Sequence, residues 1–162
     1  MKTLNKYMSV LDRILEILET NKISYKRLEH EYVRTSKEAA SIRGVSESTG
    51  AKALILTGDC GDILCVLPGD QKLDLKKIKT HLNVKNLCLA SPDNVKELTG
   101  LEVGSIPPFG VVLNLRTLYD RSLLEKELVA FNAGDHCVSI IMNPQDLAKL
   151  NKPEVLDIIK GN

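Results

Sequence analysis

The chain has 162 residues, 43% of them hydrophobic and 27% charged, and carries a formal net charge of +1. That is enough chain to bury a core without disulfide or metal support, and the near-neutral balance excludes a protein held to nucleic acid mainly by bulk charge. With no Trp, two Phe and four Tyr, the core must rest on Leu, Ile and Val, and a surface that stacks successive single-stranded bases is disfavoured.

The first element is an amphipathic helix. Leu4, Tyr7, Met8, Leu11, Ile14, Leu15 and Leu18 form one apolar stripe, with Asp12, Arg13, Glu16 and Glu19 outside it and Asn21 as terminator. Its recurring charges and lack of a small-residue cleavage site set it apart from a signal peptide. No apolar run approaches the ~18 residues of a membrane span. Ser24 to Glu31 reads as a strand. Thr35-Ser36-Lys37-Glu38 has the capping-box form and opens a helix through Ala39, Ala40 and Ile42 that stops at Gly44.

Residues 51–57 and 63–67 read as two strands of a hairpin joined by a longer loop, Gly58 to Asp62. Asp74 caps a helix carrying Leu75, Ile78 and Leu82. A strand over 86–90 follows, and Ser91-Pro92 opens a helix that ends at Thr99-Gly100. After a loop over 104–110, strands are predicted at 111–115, 128–131 and 138–142. Pro144 starts a helix to Leu150, and a short last helix is predicted over 154–160. No repeat, low-complexity tract or linker interrupts this order, so the expectation is one domain over 1–162. Its class is α/β with an α+β-like arrangement: a curved, mixed or mostly antiparallel sheet surrounded by short helices. Neither G-x-G-x-x-G nor G-x-x-x-x-G-K-[ST] occurs, which disfavours dinucleotide and nucleoside-triphosphate sites.

Four cysteines, at 60, 65, 88 and 137, form no C-x-x-C pair and have no His at zinc-finger spacing. Cys65, Cys88 and Cys137 stand in apolar runs, where a reduced Cys acts as a small hydrophobe. The expectation is a reducing, cytoplasmic setting without a disulfide framework, metal or cofactor.

The segment Gly104-Ser105-Ile106-Pro107-Pro108-Phe109-Gly110 combines backbone freedom with fixed φ, so it can hold N–H groups rigidly toward a developing oxyanion. By composition alone it is a stiff connection. Lys52, between Ala51 and Ala53 at the head of an apolar strand, is either an edge charge or a cation aimed into a pocket. Local sequence leaves both readings open. His81 reads as solvent-facing, and His30 and His136 lack any family nucleophile signature nearby. Lys72, Lys76, Lys77, Lys79 and Lys85 form a basic stretch, read first as a solvated face and second as a patch for phosphates.

These landmarks come in a telling order: His30, Thr35, Glu38-Ala39-Ala40, Lys52 in KALIL, PGDQKLDLKKI, LASPDNVKELTGLEVGSIPPFG, Asp120, and Asn132-Ala133-Gly134 before IIMNPQDLAKL. The ordered set resembles the YbaK and prolyl-tRNA synthetase insertion-domain family of editing deacylases over nearly the whole chain after the first helix. The resemblance implies a freestanding, trans-acting hydrolase of the ester joining a wrong small amino acid (Cys, Ala, Ser or Thr) to the terminal adenosine of a tRNA, with tRNA(Pro) as a substrate. It implies aminoacyl-tRNA and a synthetase as partners. Gly104, Ser105, Ile106, Pro107 and Pro108 would hold the carbonyl, and Lys52 would place the 3′ end. His30, Asp120, Asn132, Ala133 and Gly134 would stand on the substrate side. The nucleophile is water positioned by a ribose hydroxyl. Synthetase-embedded members carry a pocket His where this chain has Asn132, so His136 takes no catalytic role. Two alternatives from other classes stand beside this one: a non-catalytic tRNA- or synthetase-binding module of the same fold, and an unrelated hydrolase of small esters.

Overall fold

The computed structural model describes residues 8–161; Leu4 and Tyr7 of the predicted apolar stripe lie outside them. The first helix, α1 (Val10–Thr20), is capped by Ser9, whose hydroxyl accepts from Asp12 N, and it buries Ile14 and Leu18. The chain then runs through β1 (Tyr25–Glu29) into α2 (Ser36–Arg43). The strands β2 (Ala51–Gly58) and β3 (Gly61–Pro68) form an antiparallel hairpin from Ala51 opposite Pro68 to Gly58 opposite Gly61. The turn is tighter than the predicted loop. Only Asp59 and Cys60 lie between the strands, with Gly61 at φ +81°, a conformation that suits glycine.

Next come α3 (Leu75–Leu82), β4 (Leu87–Leu89) and α4 (Pro92–Thr99). Asp74 and Ser91 cap α3 and α4 through their side-chain oxygens, as their positions predict. The segment 111–115 departs from its predicted strand. It is a four-residue helix, α5 (Gly110–Leu113), closed by Asn114 at φ 56°, and β5 (Arg116–Asp120) starts just after it. A short apolar run does not distinguish helix from strand by periodicity. Close packing decides here, because a Cβ on Gly110 would lie 1.7 Å from Thr117 Oγ1.

The remaining elements are β6 (Val129–Asn132), β7 (Val138–Met142), α6 (Pro144–Asn151) and β8 (Glu154–Leu156). The predicted last helix is in fact that edge strand. Its apolar residues mimic helical spacing, but the open side of β5 offers a parallel partner, and Tyr119 pairs with Val155.

The strands form two sheets. One is antiparallel, in the order β1-β7-β6; the other is mixed, in the order β4-β2-β3-β5-β8. A parallel bridge between Gly50 and Ala130 joins them. One core packs α1 and α6 with Ala53, Ile55, Leu64, Val66, Phe131 and Ile140. On the other face of the mixed sheet, Leu56, Ile63, Cys65 and Leu118 pack against Ile78 of α3. β3 is therefore buried on both faces, as its unbroken apolar run requires. This α+β fold brings the start of α2, the start of β2 and the end of β6 to one place.

Candidate active site

Those three segments wall a cavity of about 220 Å³. At the start of α2, Thr35 Oγ1 accepts from Glu38 N at 3.1 Å, and Glu38 Oε2 accepts from Arg34 N at 3.1 Å. The reciprocal bond of the capping box thus reaches one residue further upstream than usual. It fixes the turn that sets Arg34, Thr35 and Ser36 on the cavity wall.

β2 supplies Lys52. Its neighbours Ala51 and Ala53 are buried in the core, while Lys52 is half-buried against the cavity. Its Nζ donates to Gly69 O at 3.3 Å. Burial pushes the ammonium below the usual lysine range, and Glu47 and Asp70 act against that shift.

The loop after α4 forms the opposite wall. Gly104 adopts φ +95°. Its carbonyl accepts from Asn132 Nδ2 at 2.7 Å. The N–H and hydroxyl of Ser105 both donate to Glu102 O, at 3.1 and 2.8 Å, and Ser105 O accepts from Gly134 N at 3.0 Å. Pro107 and Pro108 have no N–H, and the buried Tyr119 hydroxyl anchors Pro108 O. Among the described residues, the N–H groups of Gly104 and Ile106 meet no acceptor. The loop therefore leaves these two amides, and not that of Ser105, without an acceptor, in residues that line the cavity.

Arg43, at the end of α2, completes the wall. Its Nε donates to Ser139 Oγ at 2.8 Å, and one terminal nitrogen donates to Asn132 Oδ1 at 3.0 Å. Among the described residues no carboxylate pairs with it. Burial pushes the guanidinium down to about 10, still charged at neutral pH. The lining thus holds three cations, Arg34, Arg43 and Lys52, and no Asp or Glu. A chain of net charge +1 concentrates positive charge where it lines its cavity, which suits an anionic or strongly polarised ligand.

Residues 30–150 match the aminoacyl-tRNA editing domain model. The chain belongs to that family. It is 33% identical over 150 residues to the multifunctional Ser/Thr-tRNA deacylase ProXp-y of Escherichia coli strain K12, covering 90% of each chain. It is 28% identical over 151 residues to the prolyl-tRNA editing protein ProX of Acetoanaerobium sticklandii, covering 90% of this chain and 92% of that one. A crystal structure described as that of a candidate trans-editing enzyme for prolyl-tRNA synthetase superposes with a TM-score of 0.83 at 30% identity, over 98% of this chain and 100% of the other.

For a member of the editing-domain family, the expected site residues are distributed unevenly. Lys52, Gly104, Ile106 and Asn132 line the cavity together. Ser105, Pro107 and Pro108 are buried in the loop beneath it. His30 does not reach the wall; its Nε2 meets Ser139 Oγ at 2.7 Å, behind Arg43. Asp120 is 2% exposed and caps the turn over Arg121–Glu125. Ala133 is buried in the core, and Gly134 supports the loop from the side of Val10. Arg43, Arg34 and Ser36 also line the cavity, outside the residues the sequence points to. Arg43 stands in the last turn of a helix before Gly44, the usual place for a solvated cation facing the helix dipole, so its inward turn left no local signal. Among the described residues no helix is long and apolar enough to cross a membrane.

Proposed function

We propose that this protein hydrolyses, in trans, the ester joining a small amino acid to the 3′-terminal adenosine of a mischarged tRNA, with serine and threonine as the amino acids removed. The observation that carries this reading is the cavity itself, a space of about 220 Å³ whose lining holds three cations and two loop residues, Gly104 and Ile106, whose amides meet no acceptor among the described residues. The family membership and the names of the relatives support it. That space holds about seven waters at ~30 Å³ each, enough for a small aminoacyl group with an attacking water beside it.

In this reading the Gly104 and Ile106 amides take the negative charge that develops on the carbonyl oxygen. Lys52 and Arg34 hold the anionic 3′ end. A hydroxyl of the terminal ribose orients the water, which adds to the carbonyl carbon. The bond from that carbon to the ribose oxygen then breaks as a proton released by the water passes to that oxygen, leaving a free amino acid and an uncharged tRNA with its terminal hydroxyl restored. Catalysis rests on orientation and oxyanion stabilisation. A synthetase that supplies the mischarged tRNA is the partner this reading calls for.

The test is a panel of Ser-, Thr-, Ala-, Cys- and Pro-charged tRNAs incubated with the protein, following loss of the aminoacyl ester. Rapid loss of Ser and Thr with Pro retained is expected. Tight tRNA binding without ester loss would establish a binding module instead. Cleavage of simple esters without any tRNA preference would establish an unrelated hydrolase.

A further inference from the structure

The cavity wall contains a relay that ends on the loop expected to hold the reacting carbonyl. We propose that Arg43 is a positioning residue for the reaction: it fixes Asn132, and through Asn132 the peptide following Gly104, so that the loop's free amides face the carbonyl. This rests on the deacylase reading above.

Gly44 follows Arg43 in the left-handed region. Instead of leaving into solvent, the side chain turns inward and spreads over three neutral acceptors. Besides Ser139 Oγ and Asn132 Oδ1, it donates to Ala130 O at 3.4 Å. Only a planar fork can hold such divergent partners; a lysine ammonium is a point donor on a flexible stem. Taking a charge out of water for neutral partners is costly, and that cost marks a role beyond local folding.

Asn132 is the hinge of the relay. Because Oδ1 accepts from Arg43, the amide nitrogen must face the other way, where it donates to Gly104 O at 2.7 Å. Flipping the amide would set its N–H groups against the guanidinium, so Arg43 dictates which end of Asn132 meets the loop. Gly104, at φ +95°, belongs to the residue type with the freest backbone, and its carbonyl needs an external hold. The planar peptide points Gly104 C=O and Ser105 N–H in opposite directions. With Asn132 on one end and Glu102 O on the other, that peptide cannot turn. The amides of Gly104 and Ile106 on either side are left free.

The far end of the relay accounts for His30. Glu31 O can only accept, so the 2.7 Å contact with it places the proton on His30 Nδ1. In the neutral ring, Nε2 then accepts from the Ser139 hydroxyl, whose oxygen in turn accepts from Arg43 Nε. His30 therefore braces Ser139, and Ser139 braces Arg43.

The test compares Arg43→Ala, Arg43→Lys, Asn132→Ala and the Arg43→Ala/Asn132→Ala double variant in deacylation of Ser-tRNA. Arg43→Ala is expected to lower kcat on the order of 10²-fold, with KM little changed, as for a misplaced catalytic group. Asn132→Ala should lose a similar factor, and the double variant little more, because both act through one chain of contacts. Added guanidinium should restore much of the activity of Arg43→Ala and none of that of Asn132→Ala. Arg43→Lys should remain impaired. A raised KM with kcat intact would make Arg43 a direct substrate contact, and independent, additive losses would break the relay at Asn132; either overturns the proposal. A readout without turnover separates this from failure of the deacylase reading. The backbone amide resonances of Ser105 and Ile106 should shift alike in Arg43→Ala and Asn132→Ala, and unmoved resonances in Asn132→Ala alone overturn the relay even if Arg43→Ala does not fold.

Discussion

The Lys52 ammonium donates to the main-chain carbonyl of Gly69 across 3.3 Å, just beyond the point where Lys52 pairs with Leu67 in the hairpin. One acceptor occupies one of its three N–H bonds and leaves the others for a ligand. Burial disfavours the charged form, so the proton leaves at a lower pH than from an ordinary lysine. Binding that needs the charge should therefore weaken on the alkaline side before the usual value of 10.5 is reached. The stability linkage has the same origin. The unfolded chain holds this proton more tightly, so the group's unfavourable contribution is full below the folded pKa and fades as pH rises toward the ordinary value. The measurement is the Kd of an amide-linked, non-hydrolysable aminoacyl-tRNA against pH. Wild type should lose affinity at alkaline pH, Lys52→Arg should hold steady, and Lys52→Met should bind weakly throughout. A wild-type curve parallel to that of Lys52→Arg would remove the ammonium from the site.

Gly104→Ala should damage both stability and turnover. The backbone sits at φ +95°, and the new Cβ would lie 3.1 Å from His136 Cε1. The left-handed conformation alone costs about 1–2 kcal/mol for a residue with a Cβ. If the loop shifts to relieve it, the oxyanion donor proposed above is lost, worth ~10²–10³-fold in kcat. His136→Ala opens the space without changing φ, so the double variant should recover only part of each loss. Chemical denaturation and single-turnover deacylation read the two effects separately, and full recovery would show that crowding alone had mattered.

Local signals in the sequence were enough for the elements that carry the site. The Thr35–Glu38 box, the β2–β3 hairpin, the Asp74 cap and the Ser91-Pro92 start all depend on neighbours a few positions away. What stayed hidden depends on distant ones. Arg43 meets Asn132 across 89 positions of sequence, and nothing near Gly44 announces it. Residues 111–115 and 154–160 depart from their predicted forms for a related reason: their apolar spacing allows two structures, and packing of Gly110 on Thr117 and pairing of β8 with β5 decide between them. The loop was legible as a stiff connection, but which of its amides are free follows from Glu102 O and Asn132, which only the fold brings to it.

Asp120 should prove structural. Its Oδ1 accepts from Ile158 N at 3.0 Å and its Oδ2 from Ser122 N at 3.0 Å and from the Ser122 hydroxyl. These bonds tie the end of β5 to the turn that follows and to the chain after β8. Asp120→Ala strands the buried Ile158 N–H and should cost about 1–3 kcal/mol. Urea denaturation should show that loss, while kcat and KM stay at wild-type values wherever the variant is folded. A fall in kcat/KM at unchanged stability would return Asp120 to the substrate.

The lysine-rich segment 72–85, which contains α3, splits into two parts with different expected roles. Lys77 Nζ is already held by Asp157, at 3.0 Å, and by Ile159 O, at 2.7 Å, which pins α3 to the chain end. Lys72, Lys76 and Lys85 are exposed and remain available to phosphates. If they hold the tRNA body, rising salt should raise KM more than it lowers kcat. Each exposed lysine removed should then reduce the slope of log KM against log salt by about 1. Lys77→Ala should leave that slope intact and cost under ~1 kcal/mol of stability, as partly exposed ion pairs do. A slope that falls for Lys77→Ala and not for Lys76→Ala would mean that the tRNA approaches from the Asp157 side instead.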